Sequence, residues 1–316
     1  MTTLLLIGGT HPRYRAKFDD TYTLIELPNG DVANITAEMA QTVEGLATFG
    51  SANAALMDAL PKLKIIAGFG AGYEGIDVAH AASKNIIVTN TSEALNDEVA
   101  DTAVALLINT VRQLPKSEAW LRAGGWTAGG SYPVTPLTLR GRHAGIYGMG
   151  KIGKMVAQRL EAFNIRVSYH GRNRQDGLHY DYHPSLASLA EATDTLICIV
   201  PKTPQTHHVI NAEIFEKLGP SGVLINVGRG WSVSEPDLIA ALQNGTIAGA
   251  GLDVFEDEPN VPGALYGFDN VSLLPHVASG SVYTRNAMAD LAADNLISYF
   301  TQGRPLTPVS ETPFTG

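Results

Sequence analysis

The sequence predicts an α/β protein made of two doubly wound parallel sheets, and three observations carry that prediction. Short apolar runs alternate with segments of helical period along the whole chain, the pattern of parallel strands joined by crossover helices. The chain has 316 residues, enough for two domains at a typical size of roughly 150 residues each. Glycine supplies 32 of those residues, and its densest turns directly follow apolar runs, where the chain must reverse sharply on leaving a strand. Hydrophobic residues at 45% and charged residues at 17% exclude long disorder and a coiled coil. The 22 Lys plus Arg against 31 Asp plus Glu give a net charge of −9, which repels phosphate backbones and anionic lipid and argues against nucleic acid and membrane as partners.

Apolar, β-prone runs place strands at residues 3–7, 23–26, 45–49, 64–67 and 86–89 in the first part of the chain. From 96 to 122 the pattern changes. Val99, Ala103, Leu106, Leu107, Thr110 and Leu114 recur at steps of three and four, predicting one long helix fit to bridge two domains. A Gly/Ser/Pro-rich stretch at 124–136 follows, and a second series of strands is expected at 144–147, 166–169, 195–200, 222–227, 247–252 and 271–274. Six strands in that order match the count of a doubly wound dinucleotide fold. The terminal helix, 282–301, has no strand after it and is expected to return to the first domain. The single cysteine, Cys198, lies in an apolar run and reads as a small buried hydrophobe in a reducing compartment. With no basic segment before residues 4–7 and no apolar run near the roughly 18 residues of a membrane span, neither secretion nor anchoring is expected, and the expected location is cytoplasmic.

The turn Gly148-Met149-Gly150-Lys151-Ile152-Gly153 follows a predicted strand and opens a helical stretch. In that setting glycines permit the tight turn, the approach of a pyrophosphate to backbone amides and close helix-to-strand packing, while the helix N-terminus favours negative charge. The earlier turn, Gly68-Phe69-Gly70-Ala71-Gly72, has the wrong spacing for a dinucleotide and suits a smaller anion. An NAD site places Asp or Glu about 20 residues beyond the glycines, to accept from the ribose 2′-hydroxyl. Here no acidic residue occurs from Ala162 through Gln175, and the strand end reads Gly171-Arg172-Asn173-Arg174. Guanidiniums suit a 2′-phosphate, so the expected cofactor is NADP(H) in preference to NAD(H).

Three ionisable residues stand just past predicted strand ends: Arg229 within Gly228-Arg229-Gly230, Glu258 before Pro259, and His276 after Pro275. Ligands of open parallel sheets bind outside the carboxyl ends of the strands, so the three are expected to converge there. No metal ligand set is expected.

These motifs, in order and spacing, resemble the D-isomer-specific 2-hydroxyacid dehydrogenases. The resemblance rests on Asn226-Val227-Gly228-Arg229-Gly230, Gly249-Ala250-Gly251-Leu252-Asp253-Val254-Phe255, Glu258-Pro259 and Pro275-His276, with support from Asp97-Glu98-Val99-Ala100-Asp101 and Thr307-Pro308-Val309. It is strongest to the NADPH-dependent glyoxylate/hydroxypyruvate and hydroxyphenylpyruvate reductases. It implies a Rossmann cofactor domain, 96–286, inserted into a flavodoxin-like substrate domain formed by 1–95 and 287–316. Arg229 is implied to grip a 2-oxo acid, His276 to protonate its carbonyl oxygen, Glu258 to hold the imidazolium, and the amides of Ala71 and Gly72 to hold the carboxylate. Around the cofactor it implies Val200, Pro201, Thr206, Val227, Gly228 and Ser279, with Asp253 orienting the carboxamide. A homodimer is implied through the 96–126 region. Lys151 departs from the Arg usual at its position, and Asn96 from a common Thr. Because the family also contains corepressors, a dinucleotide-sensing scaffold is the alternative. A formate or phosphite dehydrogenase relative is a third, though the formate branch carries Gln where Glu258 stands.

Overall fold

The computed structural model describes residues 1–9 and 11–314. In chain order its strands and α-helices are β1 (Thr2–Ile7), α1 (Pro12–Arg15), β2 (Tyr22–Leu27), α2 (Ala37–Thr42), β3 (Val43–Thr48), α3 (Ala54–Asp58), β4 (Ile65–Gly68), α4 (Val78–Ser83), β5 (Ile87–Thr89), α5 (Ser92–Arg112) and α6 (Leu114–Arg122). They continue with β6 (His143–Tyr147), α7 (Lys151–Ala162), β7 (Arg166–His170), β8 (Asp181–Tyr182), α8 (Leu186–Ala192), β9 (Thr195–Cys198), α9 (Ala212–Leu218), β10 (Val223–Asn226), α10 (Glu235–Gln243), β11 (Gly249–Leu252), β12 (Val271–Leu273) and α11 (Val282–Gln302). They form two units, Met1–Leu95 with Ser279–Gly316, and Asn96–Ala278. The second joint falls at Ser279, before the residue 287 expected from sequence. Val282–Gln302 is one unbroken helix, capped at its start by the Ser281 hydroxyl, which accepts from the Thr284 amide.

The first unit holds a five-stranded parallel sheet in the order β2-β1-β3-β4-β5, the flavodoxin-like order. Successive side chains of a strand point to opposite faces. Leu5 and Ile7 of β1 accordingly enter one core with Leu46, Leu56 and Ile66, while Leu4 and Leu6 enter another with Ile65 and Ala67. The second core is closed by α11, whose Ala289, Ala292, Ala293 and Leu296 recur at helical spacing and present a shallow face to the sheet.

The second unit holds a seven-stranded parallel sheet, β12-β11-β10-β9-β6-β7-β8. The chain starts at β6 in the middle, moves outward through β7 to β8, then crosses back to β9, which is the Rossmann order with one strand added. β8 was not expected from sequence, because a two-residue strand with the exposed Asp181 carries no apolar run. It is specified by its pairing with Ser168 and Tyr169 of β7. The helix expected at 96–122 is two helices. Gln113 takes a left-handed conformation, φ 49°, between α5 and α6. Pro115 has no N–H to continue the ladder, and its ring crowds the carbonyl four residues back, so α5 ends before it. The α5 face predicted from Leu106 and Thr110 packs on β11: a Cβ on Gly251 would lie 2.8 Å from Thr110 Oγ1 and 3.3 Å from Leu106 Cβ.

Arg142 fastens the amino-terminal edge of this sheet. It is 6% exposed, and its Nε donates to Thr195 Oγ1 at 2.7 Å and its Nη2 to the Ser221 carbonyl at 2.9 Å, with Asp194 as ion-pair partner at 3.1 Å. One guanidinium therefore joins the starts of β6, β9 and β10. Replacing it with Met strands those acceptors, so Arg142→Met is expected to lower stability by about 2–4 kcal/mol. Urea unfolding checks this, and an unchanged midpoint would contradict the assigned role.

Candidate active site

The glycine turn at 148–153 leaves β6 where the chain order reverses between β7 and β9. Gly148 has φ 106°, and a Cβ there would meet the Ile199 carbonyl oxygen at 2.9 Å and Val200 Cγ1 at 3.1 Å. Gly153 lets α7 lie against the turn, since its Cβ would stand 2.4 Å from the Gly148 carbonyl oxygen. Gly150, the N-cap, differs from both: no atom lies within 4 Å of where its Cβ would be, and no side chain caps the first turn of α7. A Cβ there would fill the approach to the helix amides, so the turn fits a pyrophosphate. Val156, Ala157 and Leu160 bury the opposite face of α7 in the sheet.

Arg172, Asn173 and Arg174 are exposed just beyond β7. Gln175, at the end of the stretch without acids and with no signal of its own in the sequence, fixes their position. Its side-chain amide donates to the Met149 carbonyl at 2.6 Å, and its backbone amide donates to the Tyr169 hydroxyl at 2.8 Å. The arginine loop is thereby tied to the glycine turn. Thr206 braces the neighbouring loop, donating to the Pro201 carbonyl at 2.9 Å and accepting from the Thr203 amide at 2.9 Å.

Beyond β10, Asn226 shapes the turn that carries Arg229. The buried Asn226 side chain accepts from the Gly228 amide at 3.1 Å and donates to the Arg229 carbonyl at 3.0 Å. Its signal in the sequence is an amide residue at a strand end before Gly-Arg-Gly, a type that bonds its own backbone two residues on. Gly228 packs on the end of β9, a Cβ there lying 2.8 Å from the Val200 carbonyl oxygen. Arg229 is half-buried, and its Nη1 donates to the Gly228 carbonyl at 2.7 Å. Gly230 seats this turn on the next loop, since a Cβ would lie 1.9 Å from the Phe255 carbonyl carbon.

Beyond β11, the Phe255 amide donates to Glu258 Oε1 at 3.0 Å, and Glu258 Oε2 meets His276 Nδ1 at 2.7 Å. His276 adopts φ 53°, and its amide donates to the Asp253 carbonyl at 2.8 Å. Asp253 is fully buried, with its two carboxylate oxygens accepting from the Val277 and Ala278 amides at 2.7 and 2.9 Å. Burial pushes this carboxyl up from its ordinary range and outweighs the two amide bonds that pull it down. Asp253 thus builds the histidine turn, a positional role that the sequence did not disclose. The structure joins Glu258 to His276 directly, and Gly230 joins the Arg229 turn to their loop. Ala71, Gly72 and Ser279 belong to the other unit. There the Ala71 carbonyl accepts from the Asn90 side chain at 3.0 Å, and among the described residues the amides of Ala71 and Gly72 form no hydrogen bond within the protein.

The family model described as D-isomer specific 2-hydroxyacid dehydrogenase, NAD binding domain, matches residues 104–278. The chain belongs to this family. The dehydrogenase chain is 45% identical over 280 residues to hydroxyphenylpyruvate reductase of Plectranthus scutellarioides, covering 88% of each. It is 43% identical over 269 residues to glyoxylate/hydroxypyruvate reductase A of Arabidopsis thaliana, covering 85% of each. Among solved structures it is similar to an NADPH-dependent glyoxylate/hydroxypyruvate reductase from Sinorhizobium meliloti in complex with NADP and malonate. The TM-score is 0.95, with 54% identity over 99% of this chain and 98% of that one.

Gly230→Ala tests the seat of the Arg229 turn. Backbone must move to admit the methyl group, and a displacement near 1 Å at a reacting group can cost about a hundredfold in rate. The expected result is a fall of that order in kcat/KM together with a lower Tm. A variant with wild-type kinetics and Tm would show that the turn does not rest on Phe255.

Proposed function

We propose that this dehydrogenase reduces small 2-oxo acids, glyoxylate and hydroxypyruvate first and aryl-pyruvates as wider substrates, to D-2-hydroxy acids with NADPH. The observation that carries the proposal is the Glu258–His276 pair at 2.7 Å, held by Asp253 at the carboxyl end of a Rossmann sheet. The bond to Glu258 occupies Nδ1 and leaves Nε2 to carry the transferable proton. When bound, NADPH supplies the hydride that reaches C2 of the substrate. His276 donates its Nε2 proton to the carbonyl oxygen, while Glu258 accepts from Nδ1, fixes the ring and stabilises the imidazolium. Arg229 presents a planar donor fork to the substrate's carboxylate and carbonyl oxygens, and the Ala71 and Gly72 amides are proposed to anchor the carboxylate. In the reverse direction neutral His276 takes the proton back.

The cofactor is proposed to lie with its pyrophosphate against Gly148, Met149, Gly150, Lys151, Ile152 and Gly153, bordered by Val200, Pro201, Thr206, Val227, Gly228 and Ser279. Asp253 is proposed to meet the carboxamide with the acceptor capacity its two amide bonds leave over. The 2′-phosphate is assigned to Arg172, Asn173 and Arg174, with Gln175 holding that loop beside Met149. NADPH preference is supported by the absence of acid over 162–175 and by the Sinorhizobium meliloti relative. The reading includes a homodimer and a cytoplasmic location. Cys198 is fully buried, which pushes its thiol up to about 11, and no helix among the described residues is long and apolar enough to cross a membrane.

A panel of 2-oxo acids assayed with NADPH and NADH tests the reading. His276→Ala and Arg229→Ala are each expected to lower kcat/KM by about 10²–10⁴-fold, and unchanged turnover would sink it. Turnover of formate or phosphite, or a peptide partner in place of turnover, would favour the alternatives. Replacing Arg172 and Arg174 together with Ala is expected to raise the KM for NADPH about ten- to a hundredfold per lost contact, with little change for NADH. Equal effects on both cofactors would remove the 2′-phosphate assignment.

A further inference from the structure

A second cluster of ligating side chains lies at the same sheet edge, on the loop after β9 and on the loop after β11 that also carries Glu258. We propose that His207, His208 and Glu256 bind one divalent transition-metal ion of the zinc class. The imidazole nitrogens and a carboxylate oxygen lie within 4.8 Å of one another. His208 Nε2 is 2.7 Å and His207 Nε2 3.7 Å from the same Glu256 Oε1. Bonds of about 2.0–2.1 Å to a tetrahedral ion set neighbouring ligand atoms roughly 3.3 Å apart. The His207 arm is close to that spacing, and the His208 arm reaches it when its hydrogen bond to Glu256 opens by about half an ångström. Two imidazoles and one carboxylate suit zinc, cobalt or nickel rather than magnesium or calcium, which take oxygen ligands. The fourth position is left to water.

The surroundings bring the three side chains together. The His207 and His208 rings stack with centroids 3.9 Å and planes 23° apart, so their lone pairs run nearly parallel and one ring turns about its side-chain bonds before both meet one ion. His208 adopts φ 48°, a left-handed conformation that non-glycine residues seldom take. The His207 ring also lies 3.9 Å from Trp231, which donates its indole N–H to the Thr203 carbonyl at 2.9 Å, while the His208 amide donates to the Trp231 carbonyl at 3.0 Å. Glu256 is set from its own side, its amide donating to Glu235 Oε1 at 3.0 Å. Glu235 and Asp257 add negative charge around Glu256, against one nearby ammonium, Lys202, whose Nζ lies 4.4 Å from the Trp231 ring centre, and the balance favours a cation. The three ligand side chains are 43%, 35% and 29% exposed, so an ion enters from solvent without unfolding anything. It would link the loop after β9 to the loop after β11.

Tag-free protein titrated with Co²⁺ tests the site through the visible absorption of the bound ion, with Zn²⁺ competition and Zn²⁺-dependent Tm alongside. The expected result is one equivalent bound, displaced by Zn²⁺ and not by Mg²⁺, with affinity at least about tenfold weaker in Glu256→Gln and lost in His208→Ala. Should His208→Ala fail to fold, Glu256→Gln and His207→Gln carry the test. The proposal is overturned if wild-type protein binds no equivalent at millimolar Co²⁺, or if binding is the same in all these variants. Binding that survives them and disappears in His276→Ala overturns it too, by placing the ion at the acid–base pair.

Discussion

The buried carboxylate of Asp253 follows the β11 strand and accepts the amides of Val277 and Ala278, and the geometry of the Glu258–His276 pair depends on those bonds. A carboxylate taken out of water is costly unless donors meet it, so the turn after β12 is held to the end of β11 by the need to supply them. His276 precedes the two donating residues and is itself bonded through its amide to the Asp253 carbonyl, which keeps it in a left-handed conformation that a free loop would abandon. Glu258 then needs to cross only the short loop from Phe255 to reach the imidazole. Gly230 adds the third member by letting the Arg229 turn rest on the Phe255 backbone.

The two edges of the seven-stranded sheet are built on opposite principles. At the amino-terminal edge Arg142 spends its donors on neighbouring strand starts, a closed arrangement with nothing to offer a ligand. At the carboxyl edge the helix start at Gly150 carries no side-chain cap, and Arg172 and Arg174 face solvent. That contrast resolves the apparent conflict between a net charge of −9 and ligands that are anions. On the proposed reading, attraction comes from a few guanidiniums and oriented amides acting over short distances, where the field of distant surface carboxylates is screened.

Most strands were legible because parallel strands buried on both faces must be written in continuous apolar runs. The exceptions have the same cause in reverse. β8 is two residues long and takes its identity from β7, and the break between α5 and α6 depends on Pro115 overriding an apolar period that runs straight through it. The glycine turns, the arginine loop and the Arg, Glu and His at strand ends were legible because each needs a particular residue type at a particular place. Gln175 was not, since its side-chain amide reaches Met149, a partner 26 residues away that no local pattern announces, whereas Asn226 bonds within its own turn and carries a local signal.

The sequence by itself determined the α/β class, the two sheets, the order of the turns and the absence of acid beside them, because these follow from local pattern and residue chemistry. The Glu258–His276 contact was implied by the resemblance, but only the tertiary structure decided the other meetings: Asp253 with two amides beyond β12, Gln175 with Met149, and two stacked histidines with Glu256. Those meetings join segments that the sequence keeps apart, and they are set by strand order and close packing, which no local window of residues contains.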